Sequence, residues 1–310
     1  MRLPVVRPAV ATRAFQVALG ALCLIVVTGA GVRLTDSGLG CPDWPTCTGR
    51  SLVAAWQYHA VIEFGNRAVT VLVTAAVAIA LVAAWRRIPR RADLIWLAGA
   101  LVAGVIAQAI LGGITVLAKL APGWVMAHFL LSMAVIAVAV VLVRRSAEEE
   151  GVRTYRVAPE VVLLGRGLVS LSAMVLGLGT VVTGAGPHAG STGVGRLPIS
   201  PRDAAEMHSG LVLLLVGTTL TAVLLLRPPR VPPDVARAAR LLLYAVCAQG
   251  AIGYIQYFTG VPAALVGLHV AGAVTVWLIV LRLHLSLRCP VPAPVEKAGG
   301  IEPALDLAGV

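Results

Sequence analysis

Charge is scarce in this chain. Only 13% of its 310 residues are charged, against 58% hydrophobic, and the mean hydropathy is +0.90. A soluble domain of that length has too little interior to hide so much apolar surface, so the composition excludes one and makes lipid the solvent. The ten-residue alternation of barrel strands is missing, which excludes an outer-membrane barrel and leaves helices. No small-residue cleavage site follows the first apolar run, where Arg33 and Thr35 come instead, so a retained span is expected and not a cleaved signal peptide. Cysteine is limited to five residues, without the Cys-x-x-Cys-His spacing of covalent haem attachment and without the extra ligands of a zinc site. Lysine is almost absent while Ala, Val and Arg are plentiful, a balance that suits a bacterial inner membrane.

What is present is a series of long apolar runs. A spanning helix needs about 20 apolar residues, and eight runs qualify: roughly 14–34, 60–84, 94–117, 124–143, 163–185, 205–226, 238–258 and 263–284. Residues 1–13 read as a loosely ordered tail. The net charge of +11 follows membrane topology, which removes the case for nucleic acid as a partner. With the N-terminus inside, nineteen Lys and Arg residues fall on the inner side and six on the outer. That asymmetry predicts a plasma-membrane protein with both termini cytoplasmic.

The runs repeat. Val26-Val27-Thr28-Gly29-Ala30-Gly31 returns as Val181-Val182-Thr183-Gly184-Ala185-Gly186, an offset of 155. Gln108, Gly112, Ile114 and His128 return as Gln249, Gly253, Ile255 and His269, an offset of 141. The chain therefore reads as an all-α membrane protein with eight transmembrane helices in two pseudo-symmetric four-helix bundles, 1–143 and 163–288. A cytoplasmic, solvated linker, 144–162, joins them, and a disordered cytoplasmic tail, 289–310, follows. The small residues of the Thr-Gly-Ala-Gly segments read as sites of close helix packing. Cys23 and Cys247 read as small packing residues inside helices.

The outer loop of the first half carries Cys41 and Cys47, with five residues between them on the oxidising side. A disulfide is the expected state, either as a loop staple or as a redox-active pair. Four of six histidines, His59, His128, His208 and His269, fall near the outer ends of the second, fourth, sixth and eighth helices. Ionisable groups at one depth in lipid point to a working site. A zinc or di-iron site would want carboxylates or thiolates close by, and the second half offers only Glu206 near His208, so bis-imidazole haem suits better and His208 and His269 are the predicted iron ligands of the second bundle. In the first bundle the position matching His208 is Asn66. His59 lies two turns earlier, with Glu63 between them and Arg67 following. Glu63 either pairs with an arginine, Arg33 or Arg67, or faces a ligand held by His128.

At these residues the sequence resembles the bacterial haem A synthase family, whose members oxidise a methyl group of haem O to the formyl group of haem A. The resemblance runs from the first helix to the eighth. Its most specific piece is residues 28–45, from Thr28 to Pro45, supported by residues 62–67, by Ala127-His128 and by Leu268-His269. It implies haem b as cofactor on His208 and His269, and haem O as substrate with its iron on His128. It implies Glu63 as the catalytic carboxylate and Cys41–Cys47 as the outer-loop pair. It also implies haem O synthase, cytochrome oxidase assembly factors and an electron donor or acceptor as partners. The family usually has histidine where this chain has Asn66. His128 is then the only protein ligand to the substrate iron, or His59 replaces the missing one, or Asn66 holds a water. Two other classes are compatible with eight helices. A two-haem b-type electron-transfer cytochrome would need haems near both faces, whereas the candidate ligands lie near one. A transporter would show broken helices and a midplane site.

Overall fold

The computed structural model describes residues 5–49 and 51–291. Eight of its helices are long and apolar enough to cross a membrane. They are α1 (Pro8–Leu34), α2 (Tyr58–Arg86), α3 (Ala92–Leu117), α4 (Pro122–Ser146), α5 (Pro159–Ala185), α6 (Pro201–Leu225), α7 (Pro233–Phe258) and α8 (Ala263–Ser286). In lipid, unpaired backbone groups are costly, and a helix satisfies them within its own segment. The outward faces are apolar, as Val17, Ile79, Ile106 and Leu213 show by being more than half exposed. The chain is a multi-pass membrane protein.

Five helices begin at a proline: Pro8, Pro122, Pro159, Pro201 and Pro233. Proline fits the first turn, where its missing N–H is no loss. Several of these helices start up to six residues before their apolar run, because the run marks the lipid core and the proline marks the helix. The tail expectation for residues 1–13 is corrected accordingly. Within it α1 already starts at Pro8, and Val6 is held by bonds from its N–H to Arg86 and from the Ile88 N–H to its carbonyl.

Helices α1 to α4 close a ring, in which α1 packs against α2 and α4, and α3 against α2 and α4. Helices α5 to α8 close a second ring in the same order. The rings meet where α1 and α4 lie against α8 and where α4 lies against α5. Across this seam the buried Trp277 indole donates to the Met133 carbonyl, 3.0 Å. The tightly packed core lies at one end of both rings. In α4 no residue before Met133 is buried, in α8 none before Val274, and in α7 none after Val246. Toward the other end, where the four histidines sit, burial is sparser and comes from residues such as Ala60, Glu63, Thr115, Thr180 and Ala204.

The connecting segments hold two findings. Residues 152–155 and 288–291 form an antiparallel pair, β1 (Val152–Tyr155) and β2 (Arg288–Val291). The stretch read as a solvated linker thus carries a strand, and so does the start of the stretch read as tail; residues 292–310 lie outside the described residues. The pairing joins segments 130 residues apart, which no local pattern reveals. The second finding concerns the repeated Thr-Gly-Ala-Gly segment. A side chain added at Gly29 or Gly31 would meet nothing within 4 Å, so the first copy is not a close-packing site. At Gly184 it would press on Leu197 and Pro122, so the second copy is. Cys247 is exposed on α7, not packed inside, while Cys23 is half-buried.

Trp277→Phe keeps the ring and removes the donor across the seam. The expected loss is about 1 kcal/mol, read in detergent as a fall of roughly 2–4 °C in melting temperature. An unchanged melting curve would show that this bond does not help join the halves.

Candidate functional site

His128, His208 and His269 each sit in the second turn of their helix, at the loosely filled end. The His208 and His269 rings face each other with centroids 6.5 Å apart and planes at 70°. Each of the three imidazoles has a glycine on a neighbouring helix. A Cβ placed on Gly112 of α3, Gly179 of α5 or Gly253 of α7 would come within 3.1–3.3 Å of the Cε1 of His128, His208 or His269 respectively. The glycines are there because the ring occupies the volume a side chain would take. In His128 and His269 Nδ1 is buried and has no hydrogen-bond partner, whereas the His208 ring is hydrogen-bonded to the backbone of Val175 on α5.

A second device recurs with the same offset as the repeat. Gln108 Nε2 on α3 donates to the His128 carbonyl, 3.1 Å, and Gln249 Nε2 on α7 donates to the His269 carbonyl, 2.7 Å. Gln108 also donates to Ser132 Oγ, 2.8 Å. Each glutamine anchors the backbone of its histidine to the neighbouring helix, which fixes the ring's height and rotation. The sequence signal for this device was the repeat itself, in which Gln, Gly and His recur together. Gly179 had no such signal, because the first half has no matching histidine. At the 155 offset the residue matching Gly179 is Leu24. The imidazole and the glycine that makes room for it are replaced together.

The first half has no second imidazole beside His128. Among the described residues no aromatic ring pairs with it. His59 is exposed, its ring lies edge-on to Tyr58, and its Nδ1 is 3.1 Å from Ser37 Oγ in the outer loop. Asn66 is half-buried, and its Oδ1 accepts a hydrogen bond from Thr28 Oγ1 on α1, 2.9 Å. Thr28 opens the small-residue segment of α1 that recurs in α5, so one role of that segment is to hold Asn66.

Glu63 is buried at 5% exposure, and both its oxygens are engaged. Oε1 accepts from Arg67 Nη2, 2.6 Å, and Oε2 from the Cys41 backbone N–H, 2.8 Å. Of the two arginines considered as partners, Arg67 is the one found. The same guanidinium donates to the carbonyls of Cys41, Asp43 and Thr46, at 2.9–3.0 Å. Cys41 and Cys47 form a disulfide and are fully buried. Trp44, between them, lies against Gly113 of α3, where any added Cβ would strike its ring. The loop between α1 and α2 is therefore clamped by Glu63 and Arg67, cross-linked by the disulfide and seated on α3. Glu206, the one carboxylate near His208 in sequence, is exposed and pairs with Arg202 instead. Among the described residues no three His, Cys, Asp or Glu side chains come together as a metal site.

Comparison with known proteins bears on the same residues. The family model described as cytochrome oxidase assembly protein, COX15-CtaA, matches residues 13–190, more than half of the chain. The chain belongs to this family. The stretch that marks it as a COX15-CtaA member carries Cys41, Cys47, His59, Glu63, Asn66, Arg67 and His128, while His208 and His269 lie beyond it. Among relatives, a protein named heme A synthase from Lysinibacillus sphaericus is 33% identical over 113 residues, 36% of this chain and 35% of the relative. Another of that name from Alkalihalophilus pseudofirmus is 32% identical over 139 residues, 44% of this chain and 46% of the relative. A third, from Symbiobacterium thermophilum, is 44% identical over 64 residues, 20% of this chain and 21% of the relative. The chain thus spans less than half the length of the curated relatives it matches.

Arg67→Ala removes three hydrogen bonds from the loop and one from Glu63, and leaves the disulfide in place. Amide exchange of residues 41–49 should quicken by at least about tenfold, the equivalent of roughly 1.5 kcal/mol for losing bonds to a charged donor. Unchanged protection would mean that the cross-link alone orders the loop.

Proposed function

We propose that this member of the family is a haem A synthase that oxidises a methyl group of haem O to a formyl group. The observation that carries the reading is the facing pair His208 and His269. Two metal–nitrogen bonds of about 2 Å plus the half-widths of two five-membered rings span nearly the 6.5 Å between their centroids. Among the described residues no third His, Cys, Asp or Glu gathers with them, and imidazole is a common haem ligand. With Nδ1 and Cε1 turned to the neighbouring glycine, Nε2 is left as the ligating nitrogen. The name shared by several relatives supports the same reading.

On this reading haem b is held by His208 and His269, and when bound it supplies one-electron redox chemistry beside the substrate site. The first bundle takes haem O, with His128 as its single histidine ligand. His59 does not serve, since its ring is turned to Ser37 and Tyr58. Asn66 lines the opposite side from α2, held by Thr28. A site with one histidine and an amide leaves an iron position open for an oxidation. Glu63 is the catalytic carboxylate. It accepts from Arg67 and from the backbone N–H groups of Cys41 and Gly40; a carboxylate has about four lone-pair sites, so it can still take a proton or stabilise developing positive charge. Arg67 positions it, and the clamped loop excludes water from above. The histidine ends face the outer side, with both termini cytoplasmic, following the distribution of Lys and Arg. A haem O synthase supplies the substrate, cytochrome oxidase assembly takes the product, and an external electron donor or acceptor completes the cycle.

A two-haem electron carrier is the rival reading. It needs redox centres toward both faces, and all four helix-borne candidate ligands lie at one end.

The test is co-expression with a haem O synthase, followed by chromatography of extracted haems and a pyridine haemochrome spectrum. Wild-type protein should yield haem b together with haem O or haem A. His208→Ala should lose the haem b signal. Glu63→Ala should lower haem A by about 100-fold or more, the scale of a lost acid–base group, with haem b unchanged. Haem b as the sole haem in the wild type would favour the carrier. Undiminished haem A in Glu63→Ala would remove that residue from the mechanism.

A further inference from the structure

At the end of the bundle opposite the histidines, Tyr155 of β1 is the centre of a cationic cluster. Arg166 Nη2 of α5 donates to its hydroxyl at 3.0 Å, and Arg288 of β2 donates to the same oxygen. The Arg288 guanidinium also lies over the Tyr155 ring, 4.5 Å from its centroid. Two guanidinium groups therefore converge on one neutral oxygen. Among the described residues neither forms an ion pair with a carboxylate. Asp234 is taken by Arg156, and Glu160, six residues before Arg166 in α5, forms no ion pair with either. Arg288 Nε and the nearby His284 Nδ1 are buried without a partner. A cleft of about 240 Å³ opens here, lined by Tyr155, Val157, Pro159, Val162, Leu163 and Arg166. Its polar end is cationic and its wall is aliphatic. Below it the outward face of α5 continues with exposed Leu163 and Met174.

Cations brought together without a counter-charge are stabilised by a bound anion, and paired guanidinium groups favour phosphate oxygens. An aliphatic wall running from the phosphate level down a lipid-facing helix suits an attached acyl chain. We infer that the Tyr155–Arg166–Arg288 cleft binds the phosphate of an anionic phospholipid, its acyl chain lying along α5. Such a lipid would bridge the β1–β2 pair to the second bundle and hold the segment between the halves against the membrane surface. Basic clefts between helix ends are known to recruit anionic headgroups. The inference does not depend on the proposed haem chemistry.

The experiment uses the full-length protein in a zwitterionic detergent. Short-chain phosphatidylglycerol, short-chain phosphatidylcholine and inorganic phosphate are titrated separately by thermophoresis. Phosphatidylglycerol should bind, with phosphatidylcholine much weaker. Arg166→Gln and Arg288→Gln should each weaken phosphatidylglycerol binding by about fivefold, the effect of one basic residue near an anionic lipid. Arg240→Gln, at the same end on α7, should leave it unchanged. Arg166→Lys and Arg288→Lys keep the charge and should retain most of the affinity, which separates loss of the site from loss of the fold. Equal binding of the two lipids, or unchanged affinity in both glutamine variants, overturns the proposal. Inorganic phosphate binding as tightly as phosphatidylglycerol overturns the lipid assignment in favour of a soluble anion.

Discussion

Three imidazoles stand inside apolar helix bundles because a glycine on a neighbouring helix leaves each of them room. That steric allowance is the constraint on which the site rests. A polar ring in lipid is costly unless it is held and used, and here the holding is done from outside the histidine. Gln108 and Gln249 grip the backbone carbonyls of His128 and His269, so ring position follows from helix–helix contact and not from side-chain freedom. The bundles are filled at one end by Phe15, Leu94, Leu101, Ile136, Leu168, Leu242 and their neighbours, and this packed end keeps the helices together. On the proposed function, stability and ligand binding are divided between the two ends of the same helices.

The two halves use this plan unequally. In the second, glycine and histidine occur on both sides, and two rings face each other. In the first, Leu24 and Asn66 stand where that pattern would place glycine and histidine, and Glu63 and Arg67 follow the same helix face. The polar capacity lost at the ring has a counterpart in the clamp on the outer loop, where one guanidinium serves four acceptors. On the proposed function, the second half is a holder and the first a reaction site. The asymmetry is what such a division requires, since a fully ligated iron has no open position.

Much of this was legible before any coordinates. The eight spans follow from apolar length, because lipid demands continuous helices and little else. The repeat and the placement of arginines pointed to two bundles and to one working end. Most of what local pattern missed depends on a residue distant in the chain, the helix starts being the exception. Pro8 and Pro159 begin helices before the apolar run, and the run was the signal being read. Val152–Tyr155 becomes a strand only because Arg288–Val291 lies alongside it. The small-residue segment at Gly29 looked like a packing motif, yet nothing lies within 4 Å of where a Cβ would stand at Gly29 or Gly31, whereas at Gly184 it would meet Leu197 and Pro122.

The sequence by itself determined the solvent, the number of spans, the end of the bundle that carries the histidines and the family resemblance, since these depend on composition, run length and spacing. Only the tertiary structure decided which imidazoles meet, that Arg67 and not Arg33 holds Glu63, and that His59 turns to Ser37. Those outcomes depend on helix rotation and on the path of the Cys41–Cys47 loop. Both are set by contacts between segments that are neighbours in space and not in the chain.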